Sequence, residues 1–188
     1  MRVTTYCSSS EAVDDRFTAA AFRYGEGLAA AGHELVYGGT AVGTMGTIAA
    51  SVRAAGGRVT GVIPQLMVDR GIADERCDEL VVVDSMGERK REMIGRADAF
   101  VALPGGFGTV EELLEVLTLK QLGYHRKPIV LLQVEGFWDG LLAFFDELYA
   151  RDFAKPEYRR LYHVADDVRG VLDAVAAPPE GDLPTKWY

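Results

Sequence analysis

A chain of 188 residues is close to the ~150 expected of one domain, and 48% hydrophobic with 26% charged residues is the composition of a globular fold that needs no disulfide or metal staples. The 20 Lys and Arg against 28 Asp and Glu leave a net charge of −8. That balance argues against a nucleic-acid polymer or an anionic membrane as partner, so any phosphate-bearing ligand must be held by a local device.

In chain order, short apolar runs at Val3 to Cys7, Glu34 to Tyr37, Arg58 to Ile63, Glu79 to Asp84, Ala99 to Leu103 and Pro128 to Leu132 read as buried strands. Between them, Asp14 to Ala31, Gly43 to Ala55, Met86 to Arg96, Val110 to Leu122 and Trp138 to Tyr149 carry apolar residues at three- and four-residue spacing and read as helices. Strand and helix in alternation predict an α/β fold with a doubly wound, mostly parallel sheet, helices on both faces and ligands beyond the carboxyl ends of the strands. Pro64 to Asp78 breaks the alternation and is expected as a loop or short helix over one edge. Asp166-Asp167 is expected to start a last helix through Val175. One nucleotide-binding domain over residues 1–177 is expected, followed by a tail, residues 178–188, that either hangs free or docks through Trp187 and Tyr188.

Cys7 and Cys77 form neither a C-x-x-C pair nor a secreted disulfide framework, which suits a reducing cytoplasm. His33, His125 and His163 lie too far apart for a local zinc signature, so no metal is expected. The N-terminus turns polar within a few residues, and no apolar run approaches the ~18 residues of a membrane span.

Two glycine loops follow predicted strands. The first, Gly38-Gly39-Thr40-Ala41-Val42-Gly43-Thr44-Met45-Gly46, has Thr44 where a nucleoside-triphosphatase loop requires Lys, and it lacks G-x-G-x-x-G. The second, Pro104-Gly105-Gly106-Phe107-Gly108-Thr109, places three glycines within four residues between a strand and a helix, where converging N–H groups and the helix dipole bind a phosphate without a lysine. Glu112 has two readings. With Thr109 it completes a capping box in which Thr109 caps the helix; beside a bound phosphate it would instead need a cation to offset like-charge repulsion. Ser85 to Arg96 supplies that cation. A second capping box, Ser85 with Glu88, and the pairs Glu88 with Arg91 and Glu92 with Arg96 absorb part of its charge, which leaves Arg89 and Lys90 to point at the crevice of the second loop.

Met86-Gly87-Glu88-Arg89-Lys90, the P-G-G-x-G-T-x-x-E run from Pro104 to Glu112 and the loop from Tyr37 to Gly46 together resemble the LOG family of cytokinin riboside 5′-monophosphate phosphoribohydrolases, over about Val3 to Val175. Gly87 stands where that family often has His, Thr40 where a third glycine is usual, and Ser8 where C-G-S is typical. The resemblance implies a Rossmann-like homodimer that cuts the N-glycosidic bond of a nucleoside 5′-monophosphate. It puts the catalytic pair on Arg89 and Glu112, and the substrate on Gly105, Gly106, Gly108, Thr109, Lys90, Gly43, Thr44, Met45 and Ser8. No cofactor is implied, and Lys90, Lys120 and Lys127 give no sign of a pyridoxal-phosphate site. The expected substrates are AMP and N6-modified AMP. The rival from another class is a non-catalytic nucleotide or molybdenum-cofactor carrier, which needs the cradle without the acid and arginine as a pair.

Overall fold

The computed structural model describes residues 1–177, so the expectations for the tail lie outside the described residues. The alternation read from the sequence becomes β1 (Arg2–Tyr6), α1 (Asp15–Ala30), β2 (Glu34–Tyr37), α2 (Gly43–Ala54), β3 (Val59–Pro64), α3 (Gln65–Asp69), β4 (Glu79–Val83), α4 (Met86–Arg96), β5 (Ala99–Ala102), α5 (Phe107–Gln121), β6 (Ile129–Leu132), α6 (Asp139–Ala150), a 3₁₀ turn (Pro156–Leu161), β7 (His163–Ala165) and α7 (Val168–Ala176). The seven strands form one sheet in the order β4-β3-β2-β1-β5-β6-β7, and every strand pair is parallel. The doubly wound α/β fold is therefore as expected.

Successive residues of each strand point to opposite faces, and the core is accordingly split in two. Val3, Leu35, Val59, Val101 and Val130 pack with Tyr24, Leu28, Ile48, Val52 and Val171 from α1, α2 and α7. Tyr6, Val36, Val62, Phe100, Ile129 and Leu131 pack with Met93, Leu113, Val116 and Phe145 from α4, α5 and α6. Each fully buried side chain of this kind contributes roughly 1.5–3 kcal/mol. Two threonines in the central strand are buried yet satisfied, one toward each face: Thr5 Oγ1 shares a hydrogen bond with Tyr24 OH (2.9 Å) and Thr4 Oγ1 donates to Met93 O (3.0 Å), as buried hydroxyls require.

The strand order places the ligand crevice. The chain lays β2, β3 and β4 to one side of β1, then returns to lay β5, β6 and β7 on the other. Loops leaving β1 and β5 diverge to opposite faces and open a gap between them. The register Val3↔Ala99 through Tyr6↔Ala102 brings the two strands to the same level, so Cys7–Ser10 and Pro104–Thr109 emerge side by side.

Three local features of the fold differ from the sequence reading. A seventh strand, β7, follows the 3₁₀ turn where no element was expected, because three residues carry no readable period. Helix α5 starts at Phe107 rather than Val110. Glu88 turns back onto Asp84 N (2.9 Å) rather than toward Arg91, although Ser85 does cap α4 by accepting from Glu88 N (3.1 Å).

His125, between α5 and β6, provides a test of the packing. Its Nε2 donates to Val116 O (2.9 Å) and its Nδ1 accepts from Lys127 N (3.2 Å), an arrangement that only the neutral ring can make. Burial is the chief cause that pushes its pKa down to about 4, against about 6.5 in an unfolded chain. Below pH 6.5 the unfolded chain therefore takes up a proton that the folded one refuses, so this stabilisation is complete above about 6.5 and lost as the pH falls toward 4. The difference in melting temperature between the protein and its His125→Asn variant should shrink over that window; a constant difference would refute the assignment.

Candidate active site

The crevice is a cleft of about 410 Å³ reached by the loops after β1, β2, β3 and β5. Arg89 crosses it. From α4, its Nε donates to Val62 O at the end of β3 (3.1 Å) and its Nη1 donates to Glu112 Oε1 on α5 (2.9 Å). On the way the guanidinium passes over Gly38, where a Cβ would lie 1.9 Å from Nη2. Gly38 is thus the reason the arginine can span from β3 to α5.

Arg89 and Glu112 are 4% and 5% exposed, so the pair is almost wholly removed from water. Such a pair adds little net stability, but deleting one partner leaves an uncompensated buried charge. Burial pushes the Glu112 carboxyl above the usual carboxylate range, and the Arg89 charge opposes that rise. The capping reading of Glu112 is corrected here: α5 has Gly106 at its N-cap and no side-chain cap, Glu112 turns to Arg89, and Thr109 Oγ1 donates to Cys7 O (2.9 Å).

With no side-chain cap, the first-turn N–H groups of α5 are left for an anion. The glycines there differ in kind. A Cβ on Gly105 would lie 2.1 Å from Thr109 Oγ1, so Gly105 makes room for the threonine, whereas at Gly106 and Gly108 a Cβ would meet nothing within 4 Å. Neither of those two has a positive φ, so the protein's own packing does not demand glycine at either position. Gly108→Ala is therefore expected to shift two properties in opposite directions. It should stabilise the fold by up to ~1 kcal/mol, the helix propensity of Ala over Gly, and weaken the binding of ribose 5-phosphate; calorimetry on both would contradict this if affinity were unchanged.

The other expected site residues separate into two groups. Ser8 and Met45 line the cleft. Ser8 Oγ accepts from Ser10 N (3.0 Å), and Met45 Sδ accepts from Thr40 Oγ1 (3.3 Å). Thr44, buried behind them, accepts from Ser8 N (3.0 Å) and donates to Ser8 O (3.1 Å), so its hydroxyl fastens the loop after β1. Gly43, at φ +61°, comes so close to Ser8–Ser10 that a Cβ would sit 2.6 Å from Ser9 C. Lys90 does not itself line the cleft: its Nζ pairs with Glu111, which does, and with Glu115 (3.1 Å). Sequence reasoning missed Ser9, Ser10, Thr40, Met67, Ile72, Met86 and Phe107, which also line the cleft. The polar run directly after the first strand was a usable signal for the two serines; nothing local marked the apolar residues.

Comparison with known proteins places the whole chain in a family. A family model described as "Possible lysine decarboxylase" matches residues 45–175. A probable cytokinin riboside 5′-monophosphate phosphoribohydrolase of Oryza sativa is 46% identical over 171 residues, covering 91% of this chain and 75% of its own. A cytokinin riboside 5′-monophosphate phosphoribohydrolase of Arabidopsis thaliana is 44% identical over 91% of this chain and 79% of its own. The chain belongs to the LOG family. Among solved structures, the molybdenum cofactor carrier protein of Chlamydomonas reinhardtii superposes with a TM-score of 0.71 at 26% identity, covering 93% of this chain and 94% of that one. Among the described residues no lysine lines the cleft. Lys90 is held by α5, Lys120 is buried on α5, and Lys127 Nζ donates to Ile94 O (2.8 Å).

Proposed function

We propose that this chain hydrolyses the N-glycosidic bond of nucleoside 5′-monophosphates, AMP and its N6-modified forms, to the free base and ribose 5-phosphate. The observation that carries the reading is the buried Arg89–Glu112 pair, 2.9 Å apart, beside a helix N-terminus without a side-chain cap. The 5′-phosphate docks on Gly105, Gly106, Gly108 and Thr109, and this remote binding energy positions the sugar. The C1′–N bond breaks, with positive charge growing on the ribose and the electron pair leaving with the base, which takes up a proton from solvent that is balanced by the one Glu112 releases to solvent at the end of the turnover. Glu112 stabilises that charge and accepts a proton from the attacking water as the C1′–O bond forms. Arg89 holds Glu112 ionised and aimed. The raised Glu112 pKa makes it a stronger base than a solvated carboxylate.

The carrier reading draws support from the Chlamydomonas structure, but it gives the carboxylate and arginine no task. Comparing AMP, N6-isopentenyl-AMP and adenosine tests the choice. The expected result is release of base from the two nucleotides and none from adenosine, which lacks the group the cradle binds; binding of the nucleotides without release of base would favour the carrier.

Two subunits are proposed to associate through α5 and α6, where Leu114, Leu117, Phe145 and Leu148 border a groove of about 110 Å³ and Leu114 and Phe144 are exposed; a solution mass of one chain would refute this. The free thiols Cys7 and Cys77 suit a cytoplasmic setting. Among the described residues no helix is long and apolar enough to cross a membrane.

A further inference from the structure

The connection between β3 and β4 lies over the first glycine loop with little apolar anchorage, since α3 has no buried residue. A buried carboxylate fastens it instead. Asp74, whose side chain is 0% exposed, accepts from Tyr37 OH (3.0 Å), Arg53 Nη1 (2.9 Å), Arg76 Nε (2.9 Å) and Arg76 N (3.2 Å). The backbone joins in at the same place. Asp74 N donates to Gly39 O (2.9 Å), Ala41 N donates to Ile72 O (3.1 Å), and Thr40 and Ala73 form an antiparallel bridge. Burial works against the Asp74 charge, but Arg76, Arg53 and Tyr37 outweigh it and hold the carboxyl below its usual range.

This latch sets one wall of the cleft. Met67 and Ile72, both half-buried on the latched segment, line the cleft on the β3 side, and Gly106–Thr109 line it on the β5 side. Three strand spacings, ~14 Å, separate β3 from β5 in the sheet. A nucleotide whose phosphate sits on α5 therefore extends its base toward Met67 and Ile72. We propose that Asp74 is a positioning residue: it touches no substrate, but through its contacts with Tyr37, Arg53 and Arg76 it holds Ile72 and Met67 as the wall against which the base of the nucleotide packs. The inference rests on the reading under Proposed function for the identity of the ligand.

The experiment separates the base end from the phosphate end. Asp74→Asn is expected to raise KM for AMP about tenfold and to leave kcat within about twofold. Product inhibition by ribose 5-phosphate, which has no base, should be unchanged. In an Ile72→Ala background the same substitution should add less than about twofold to KM, because the wall it acts through is already cut back. A fall in kcat at constant KM, an equal weakening of ribose 5-phosphate, or full additivity with Ile72→Ala would overturn the proposal. Should Asp74→Asn fail to fold, Tyr37→Phe removes one of the four hydrogen bonds and keeps the ring, with an expected KM rise of about threefold; no rise would overturn it. If the unmodified protein releases no base from any nucleotide, the functional reading fails on its own terms. The latch is then read from equilibrium binding, where Asp74→Asn must weaken AMP and spare ribose 5-phosphate; equal weakening, or none, would overturn it.

Discussion

Glu112→Gln is expected to slow release of base from AMP by roughly 100- to 10,000-fold, the range for losing a positioned acid or base, while AMP still binds. The glutamine keeps the length and shape of the glutamate and an amide oxygen that can accept from Arg89 Nη1, now 2.9 Å from the carboxylate. What it loses is the charge that stabilises the developing cation on the ribose and the basicity that takes a proton from water. The fold should survive. Truncating one partner of a buried pair costs ~3–5 kcal/mol, but here the hydrogen bond remains, so the melting temperature should fall without loss of cooperative unfolding. Turnover within tenfold of the unmodified protein would remove Glu112 from the mechanism.

Gly38→Ala is the second large effect, and it acts at a distance from any substrate. The new methyl would lie 1.9 Å from Arg89 Nη2 and 3.0 Å from Met45 Sδ. Gly38 is not among the positive-φ glycines, so the backbone accepts alanine and the clash falls on the guanidinium. That group is the end of a long side chain and can swing aside, but only by giving up Val62 O or Glu112. Overpacking of this kind costs ~1–3 kcal/mol of stability, whereas a shift of ~1 Å in a catalytic group is enough for about a 100-fold loss of rate. A folded protein with kcat reduced about 100-fold is the expected outcome. Gly46→Ala makes a useful contrast: its Cβ would sit 2.1 Å from the backbone oxygen of Ala41, which cannot swing aside, so loss of folded protein is expected there. Full activity in Gly38→Ala would show that the position of the guanidinium does not matter.

Arg89 and Glu112 illustrate what the sequence revealed and what it withheld. Arg89 stood out, together with Lys90, because Arg91 and Arg96 had partners available at helical spacing and these two did not, and the structure finds the Arg89 partner 23 residues away in sequence. Glu112 could not be assigned from spacing alone, because a capping box depends on where the helix begins. Starting α5 at Phe107 puts Thr109 inside the first turn and frees both side chains for tertiary contacts. Thr44 and Thr109 looked like ligand hydroxyls, yet each binds the backbone just beyond β1. That choice follows from which strand ends are level, a property of the register that no local pattern carries. Lys90 likewise looked free until α5 packed beside α4 and offered Glu111 and Glu115. The apolar wall was the least legible part. Met67 and Ile72 belong to a segment with neither helical nor strand period, and the residue that folds it back, Asp74, is a carboxylate whose partners lie on β2, on α2 and two residues further along the chain.

The alternation of strand and helix was readable because parallel strands buried on both faces are short, apolar and closed by glycine or proline. β7 was not, since its three residues pair only at the edge of the sheet. The cleft at the junction of β1 and β5 followed from the fold class itself.

The most direct test of the central claim is the product balance when the purified protein is incubated with AMP. Adenine and ribose 5-phosphate are expected in equal amounts, rising together with time, with no free phosphate and no adenosine. Tight binding of AMP with no adenine released, or adenosine and phosphate in place of adenine, would contradict it.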